Sequence, residues 1–213
     1  MKLYLSSYGI GYNPAALQSL VGSNKHAAVV CNAQDLASKA ERDERVSRGF
    51  DEMKNLGFTP TELDLRDYFD NSEPLANELR RYGLVWIRGG NSFVLRRAMK
   101  QSGFDVAIKP IVEHEEIVYA GFSAGSCVAA MDLHGIELVD DPDSVPAHYD
   151  KKIIWEGLGF IDKAVAPHYH SDHPESKMVE QSVEYFETQH IDYIAIHDGE
   201  AILVDRQGLR VVG

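Results

Sequence analysis

Short apolar runs alternate with amphipathic segments along the chain, and this alternation restricts the fold more than any other feature. Leu3–Leu5, His26–Cys31, Thr61–Leu65, Leu84–Ile87, Ile117–Ala120, Ile136–Val139, Ala164–Ala166, Tyr193–Ile196, Ala201–Val204 and Leu209–Val212 have the length and composition of strands. Between them, segments 35–56, 74–81, 92–100, 104–114, 124–133 and 174–189 read as helices. The first is loosely periodic at Leu36, Ala40, Val46, Phe50 and Met53, with Gly57 placed to end it and its charged residues on a solvated face. Such alternation predicts an α/β fold: three layers, with a mostly parallel sheet flanked by helices. Ligands of these sheets bind where loops converge at the carboxyl ends of the strands, so reactive residues are expected just after apolar runs.

Composition narrows the partners. The 213 residues suit a single domain spanning 1–213, large enough to fold without a disulfide or metal staple. With 21 Lys and Arg against 33 Asp and Glu, the net charge is −12. That opposes nucleic-acid and anionic-membrane partners, whose phosphates need neutralising cations. The two cysteines, Cys31 and Cys127, sit in apolar contexts and read as reduced thiols of a cytoplasmic protein. No apolar run approaches the ~18 residues of a membrane span, and the N-terminus lacks a signal-peptide pattern.

Three motifs follow apolar runs. Gly121-Phe122-Ser123-Ala124-Gly125 is a G-x-S-x-G between a strand and a helix, the setting in which a strained turn exposes a nucleophilic hydroxyl. The plainer alternative is a tight turn in which Ser123 caps the helix. Arg88-Gly89-Gly90-Asn91 follows the LVWI strand. Its glycines would let the Gly90 N–H stand beside that of Ala124 as an oxyanion donor, while Arg88 and Asn91 are weaker candidates for substrate contact. Alone, it is an ordinary turn with Asn91 or Ser92 as helix cap. The third motif is Pro167-His168-Tyr169-His170-Ser171-Asp172-His173. His168, first after the AVAP strand, is placed to act as a general base.

Read from His168, the third motif also spells H-x-H-x-D-H and resembles the metal-binding segment of metallo-β-lactamase-type hydrolases. Zinc held by His168, His170, Asp172 and His173 is therefore a rival reading. Too little chain follows, and Pro174-Glu175-Ser176 stands where that motif continues in glycine, so no metal and no other cofactor is expected. A carboxylate is still needed to orient His168. Asp198, after the YIAI strand, is one candidate, although Asp198-Gly199 also reads as a hairpin turn. Asp140, Asp141 and Asp143 are the others. Cys127, one helical turn past Ser123, reads as packing.

Taken together, strand–GGN–helix, strand–GFSAGS–helix and an apolar strand ending in PHY resemble the dipeptidase E (aspartyl dipeptidase) family of serine peptidases, with cyanophycinases as more distant relatives. The segment Glu156–Ile161 (EGLGFI) belongs to the same resemblance, which spans nearly the whole chain. It implies a fold like that of the class I glutamine amidotransferases, Ser123 as nucleophile, His168 as base, and Gly90 and Ala124 as oxyanion donors. It also implies metal-free cleavage of dipeptides with N-terminal aspartate. Asp198 stands where the family has a Glu before a Gly, which leaves Asp140 and Asp141 as alternatives for the acidic member. A substrate aspartate would need a cation, for which Arg88, Lys151, Lys152 and Lys177 are candidates. A short peptide is the expected partner, and an exposed sheet edge could pair two chains. A non-catalytic protein binding small molecules or peptides in the same pocket is the alternative from another functional class.

Overall fold

A computed structural model describes residues 1–213. Seven strands form the main sheet: β1 (Leu3–Ser6), β2 (His26–Val30), β3 (Thr59–Glu62), β4 (Leu84–Ile87), β5 (Val118–Phe122), β8 (Ala201–Asp205) and β9 (Gly208–Val212). Their spatial order is β3-β2-β4-β5-β1-β8-β9, and β6 (Ala164–Ala166) pairs with β7 (Tyr193–Ala195) in a separate parallel ribbon. The first five strands in that order are parallel, while β8 and β9 add antiparallel.

The inner strands β1, β2, β4 and β5 are apolar on both faces because helices cover both. Leu3, Leu5, Val85 and Ile87 point into one core, with α4 (Ser92–Gln101), α5 (Phe104–Glu113) and α7 (Ser176–Gln189). Tyr4, Leu84 and Trp86 point into the other, with α1 (Pro14–Leu20) and α2 (Lys39–Asn55). The short α3 (Leu75–Leu79) and α6 (Ala124–Cys127) complete the first layer. This is the expected three-layer α/β architecture. Edge strand β3 carries Pro60, which has no N–H to offer a neighbour.

Sheet register gathers the site. Leu5 and Ile87 both align with Gly121, and Ser6 aligns with Phe122. Ser7, Arg88 and Ser123 therefore leave the sheet side by side at the carboxyl ends of β1, β4 and β5.

Several elements differ from the sequence expectation. Ile136–Val139 is not a strand but a 3-10 turn over Ile136–Leu138, entered through Gly135 at φ 95°. The Val139 and Asp140 amides both bond back to the Ile136 carbonyl, so the apolar run closes on itself instead of pairing. The helix expected to reach Leu133 stops at Cys127. Beyond it, the carbonyls of Val128, Ala129 and Ala130 accept the amides of Leu158, Phe160 and Gly159, so the EGLGFI segment replaces the next helical turn. The strand expected over Thr61–Leu65 ends at Glu62, because Asn32 Oδ1 accepts the Leu65 amide and Asp64 caps a 3-10 turn. Helix α2 starts at Lys39, behind a capping box of Ser38 and Glu41.

The charged face expected on α2 is not wholly solvated. Arg42 is buried, with Nε 2.7 Å from Asp35 Oδ1 and Nη2 2.7 Å from Glu62 Oε1 and 3.1 Å from Asp64 Oδ2. This cluster ties α2 to the exits of β2 and β3.

Candidate active site

Ser123 occupies a sharp turn between β5 and α6, at φ 50° and ψ −117°. A non-glycine residue there is strained, and the surroundings hold it in place. Its amide bonds to the Ser7 carbonyl at 3.1 Å, and its carbonyl accepts the amides of Ser126 and Cys127. The side chain makes no capping hydrogen bond to α6, which removes the plainer reading of Ser123 as a helix cap. Gly125 permits the turn: a Cβ there would stand 2.5 Å from the Ile87 carbonyl oxygen.

The Arg88–Asn91 turn lies alongside. Gly90 adopts φ 145°, and a Cβ on it would meet the Ala33 carbonyl oxygen at 2.4 Å, so only glycine fits. Asn91 is committed to structure: its Oδ1 accepts the Phe93 and Val94 amides at the start of α4, and its Nδ2 donates to the Asp141 carbonyl. Arg88 is buried, pairs with Glu52 and lies 5.3 Å above the Phe122 ring. The amides of Gly90 and Ala124 belong to neighbouring turns, and Ala124 opens α6, where first-turn N–H groups lack intrahelical partners.

His168 follows β6 at φ 62° and is 1% exposed. Its Nδ1 lies 2.7 Å from Asp198 Oδ1. A carboxylate only accepts, so Nδ1 carries the proton and Nε2 keeps its lone pair. Ser7, which the sequence did not single out, ties the pair together. Its hydroxyl donates to Asp198 Oδ1 at 2.7 Å and accepts the His168 amide at 2.7 Å. Asp198 is not in a hairpin; the turn 197–200 joins β7 of the ribbon to β8 of the main sheet. The His168 Nε2 is buried without a hydrogen-bond partner. Ser123, His168, Gly89 and Gly90 line one open cleft together with Tyr8, His173 and Glu175.

The electrostatics suit a neutral imidazole. Burial pushes the His168 pKa below its ordinary value, against the opposing pull of Asp198. Burial alone would raise Asp198, but hydrogen bonds from Ser7 and His168 hold it below the usual carboxylate range. Asp140 differs. It accepts the Ser92 amide at 2.8 Å at the head of α4, and burial pushes it up to about 6. Among the acidic candidates it is Asp198 that hydrogen-bonds His168, while the Asp141 carboxylate turns to Ser144 and the Asp143 amide.

The H-x-H-x-D-H segment does not converge as a ligand set. His170 is exposed, with Nε2 3.9 Å from Glu180, and Asp172 is exposed. His173 folds back, its ring stacked on that of His168 at 3.8 Å. Lys151, Lys152 and Lys177 are not among the cleft residues; the cations there are Arg45, Arg48 and Arg88. Arg48 pairs with Glu44 and Arg88 with Glu52, which leaves Arg45 without an ion-pair partner. Arg45 and Arg48 lie one helical turn apart on α2, a spacing visible in the sequence but indistinguishable there from a solvated face.

A serine on a strained strand–helix turn, beside a buried histidine backed by a carboxylate, defines a site of hydrolase type. The chain belongs to peptidase family S51, whose family model matches residues 11–212. An uncharacterized peptidase of Listeria innocua is 26% identical over 159 residues, covering 75% of this chain and 72% of that protein. A second, from Listeria monocytogenes, is 26% identical over 130 residues, covering 59% of this chain and 58% of its own length. The crystal structure of a candidate peptidase E protein from Listeria monocytogenes superposes with a TM-score of 0.77 at 20% identity, covering 99% of this chain and 97% of that one. A peptidase from an acI-B1 actinobacterium gives 0.68 at 20% identity, covering 100% and 87%. Both share the fold. Membership of the family supports a peptidase activity.

Proposed function

We propose that this chain is a serine peptidase that cleaves short peptides through an acyl-enzyme on Ser123, favouring an acidic N-terminal residue. The observation that carries the reading is the Ser7–Asp198–His168 chain, which leaves His168 Nε2 unpartnered in the cleft that Ser123 lines. The Ser123 hydroxyl and Nε2 are not hydrogen-bonded in this state, and such contacts often tighten only when substrate is bound.

In the proposed reaction, Ser123 Oγ attacks the scissile carbonyl as Nε2 takes its proton. The Gly90 and Ala124 amides receive the oxyanion, a contribution of ~3–4 kcal/mol per donor in comparable sites. The C–N bond then breaks as Nε2 returns the proton to the leaving amine. Water attacks the ester, gives its proton to Nε2, and Ser123 regains it on leaving. Asp198 stabilises the imidazolium formed twice in this cycle. Arg45, in the same cleft as Arg48 and Arg88, supplies the positive charge that a substrate carboxylate needs.

Hydrolysis of a dipeptide panel by wild type and Ser123→Ala, with a chelator present, tests the reading. Wild type should cleave Asp-Xaa members in preference to neutral ones, and Ser123→Ala should lose about 10⁶-fold in kcat. Full activity in Ser123→Ala would overturn it.

A further inference from the structure

The mechanism leaves His173 and Glu175 unused, although both face the reacting groups. One ligand atom from each of His168, His173 and Glu175 lies within 4.8 Å of the others. Two further observations make this more than a chance cluster. His168 Nε2 is a lone pair buried without a partner. Its ring is also fixed from behind by Asp198 at 2.7 Å, the support that metal-bound imidazoles characteristically have.

We propose that these three side chains form an inhibitory site for a late first-row divalent cation, zinc above all, which closes the peptidase by occupying its base. The proposal rests on His168 acting as that base. Two imidazoles and a carboxylate form a three-ligand set that leaves a coordination position open, and nitrogen donors select zinc over magnesium or calcium. Bond lengths of ~2.0–2.2 Å would bring the donor atoms to about 3.3 Å apart in a tetrahedral shell. The set must therefore contract, and it can do so on one side. His168 is locked, but the side chains of His173 and Glu175 are 22% and 38% exposed and sit on one loop two residues apart. To bind, His173 gives up its stack on His168 and turns an imidazole nitrogen toward the ion. The ion takes the Nε2 lone pair, so Nε2 can no longer accept the Ser123 proton. The fourth position is left to water or to a substrate carboxylate.

Calorimetric titration with zinc chloride tests the site without reference to catalysis. Wild type and Ser123→Ala should each bind one ion per chain. His173→Ala and Glu175→Gln, which alter a half-exposed loop, should each weaken binding more than about tenfold, the least expected when a direct ligand is lost. His170→Ala, which alters the exposed histidine facing Glu180, should bind as wild type does. Zinc should also slow labelling of Ser123 by a fluorophosphonate, and EDTA should restore it. No saturable binding to wild type, or binding unchanged in both His173→Ala and Glu175→Gln, would overturn the proposal, as would labelling unaffected at saturating zinc. A Ser123 that resists the reagent without zinc would instead count against the peptidase reading, while the titration still decides the metal site.

Discussion

At the scale of single residues, the site depends on how His168 is held. Asp198 fixes the tautomer, and Ser7 fixes Asp198 and the His168 backbone at once. Asp198→Asn keeps the shape but can present an N–H to Nδ1, which favours the wrong tautomer; kcat should fall by about 10⁴-fold, as read in steady-state hydrolysis. The pH profile follows from the same geometry. Burial lowers the His168 pKa, and only the neutral ring accepts a proton, so kcat/KM should rise with pH on an acid limb centred below the ordinary histidine value of about 6.5. A limb centred above that value would contradict the placement of His168 in a buried pocket. Ser123, His168 and Asp198 stand out in the sequence as candidates because each lies close behind the end of an apolar strand. Ser7 does not, since a serine at a strand end has no pattern of its own, and its part depends on a partner 191 residues away.

At the scale of elements, strands paired inside the sheet were read nearly to the residue, as Leu84–Ile87 illustrates. Apolar content there agrees with burial on both faces. Ile136–Val139 has the same local character but no neighbour to pair with, and Gly135 turns it into a 3-10 helix. Helix α6 ends early because a distant segment, Leu158–Phe160, takes the carbonyls of the three residues after it, Val128, Ala129 and Ala130. The arginines of α4 and α2 were hidden for a related reason. Arg96 and Arg97 are buried, donating to the carbonyls of Glu156 and Pro142, and so hold the irregular stretch from 140 to 156 against the fold. Arg42 compensates Asp35, whose side chain is 1% exposed. Arg42→Ala would leave that buried carboxylate only the more distant Arg66, at 3.6 Å, and hydrogen bonds from Asn32 and Tyr149, so unfolding in urea should report a loss of about 3 kcal/mol, the low end for a broken buried pair. A loss below about 1 kcal/mol would place the cluster in solvent, where ion pairs contribute little.

At the scale of the whole molecule, a net charge of −12 would repel an acidic peptide from most of the surface. The cleft counters this locally through Arg45, Arg48 and Arg88. With Arg48 and Arg88 already paired, the proposed function assigns the substrate carboxylate to Arg45. Arg45→Ala should raise KM for Asp-Xaa dipeptides about tenfold, the equivalent of ~1.4 kcal/mol, and change KM for Ala-Xaa dipeptides far less. Equal losses on both substrates would remove Arg45 from specificity. The three-layer sheet places these groups together: adjacent strands β4, β5 and β1 deliver Arg88, Ser123 and Ser7 to one edge, and the β6–β7 ribbon brings His168 over them. In the proposed mechanism this assembly activates the Ser123 hydroxyl. Intact-mass analysis after treatment with a fluorophosphonate, followed by peptide mapping, tests it most directly. One adduct per chain is expected, located on Ser123 and lost in both Ser123→Ala and His168→Ala. An unmodified wild-type chain, or an adduct on another residue, would contradict it.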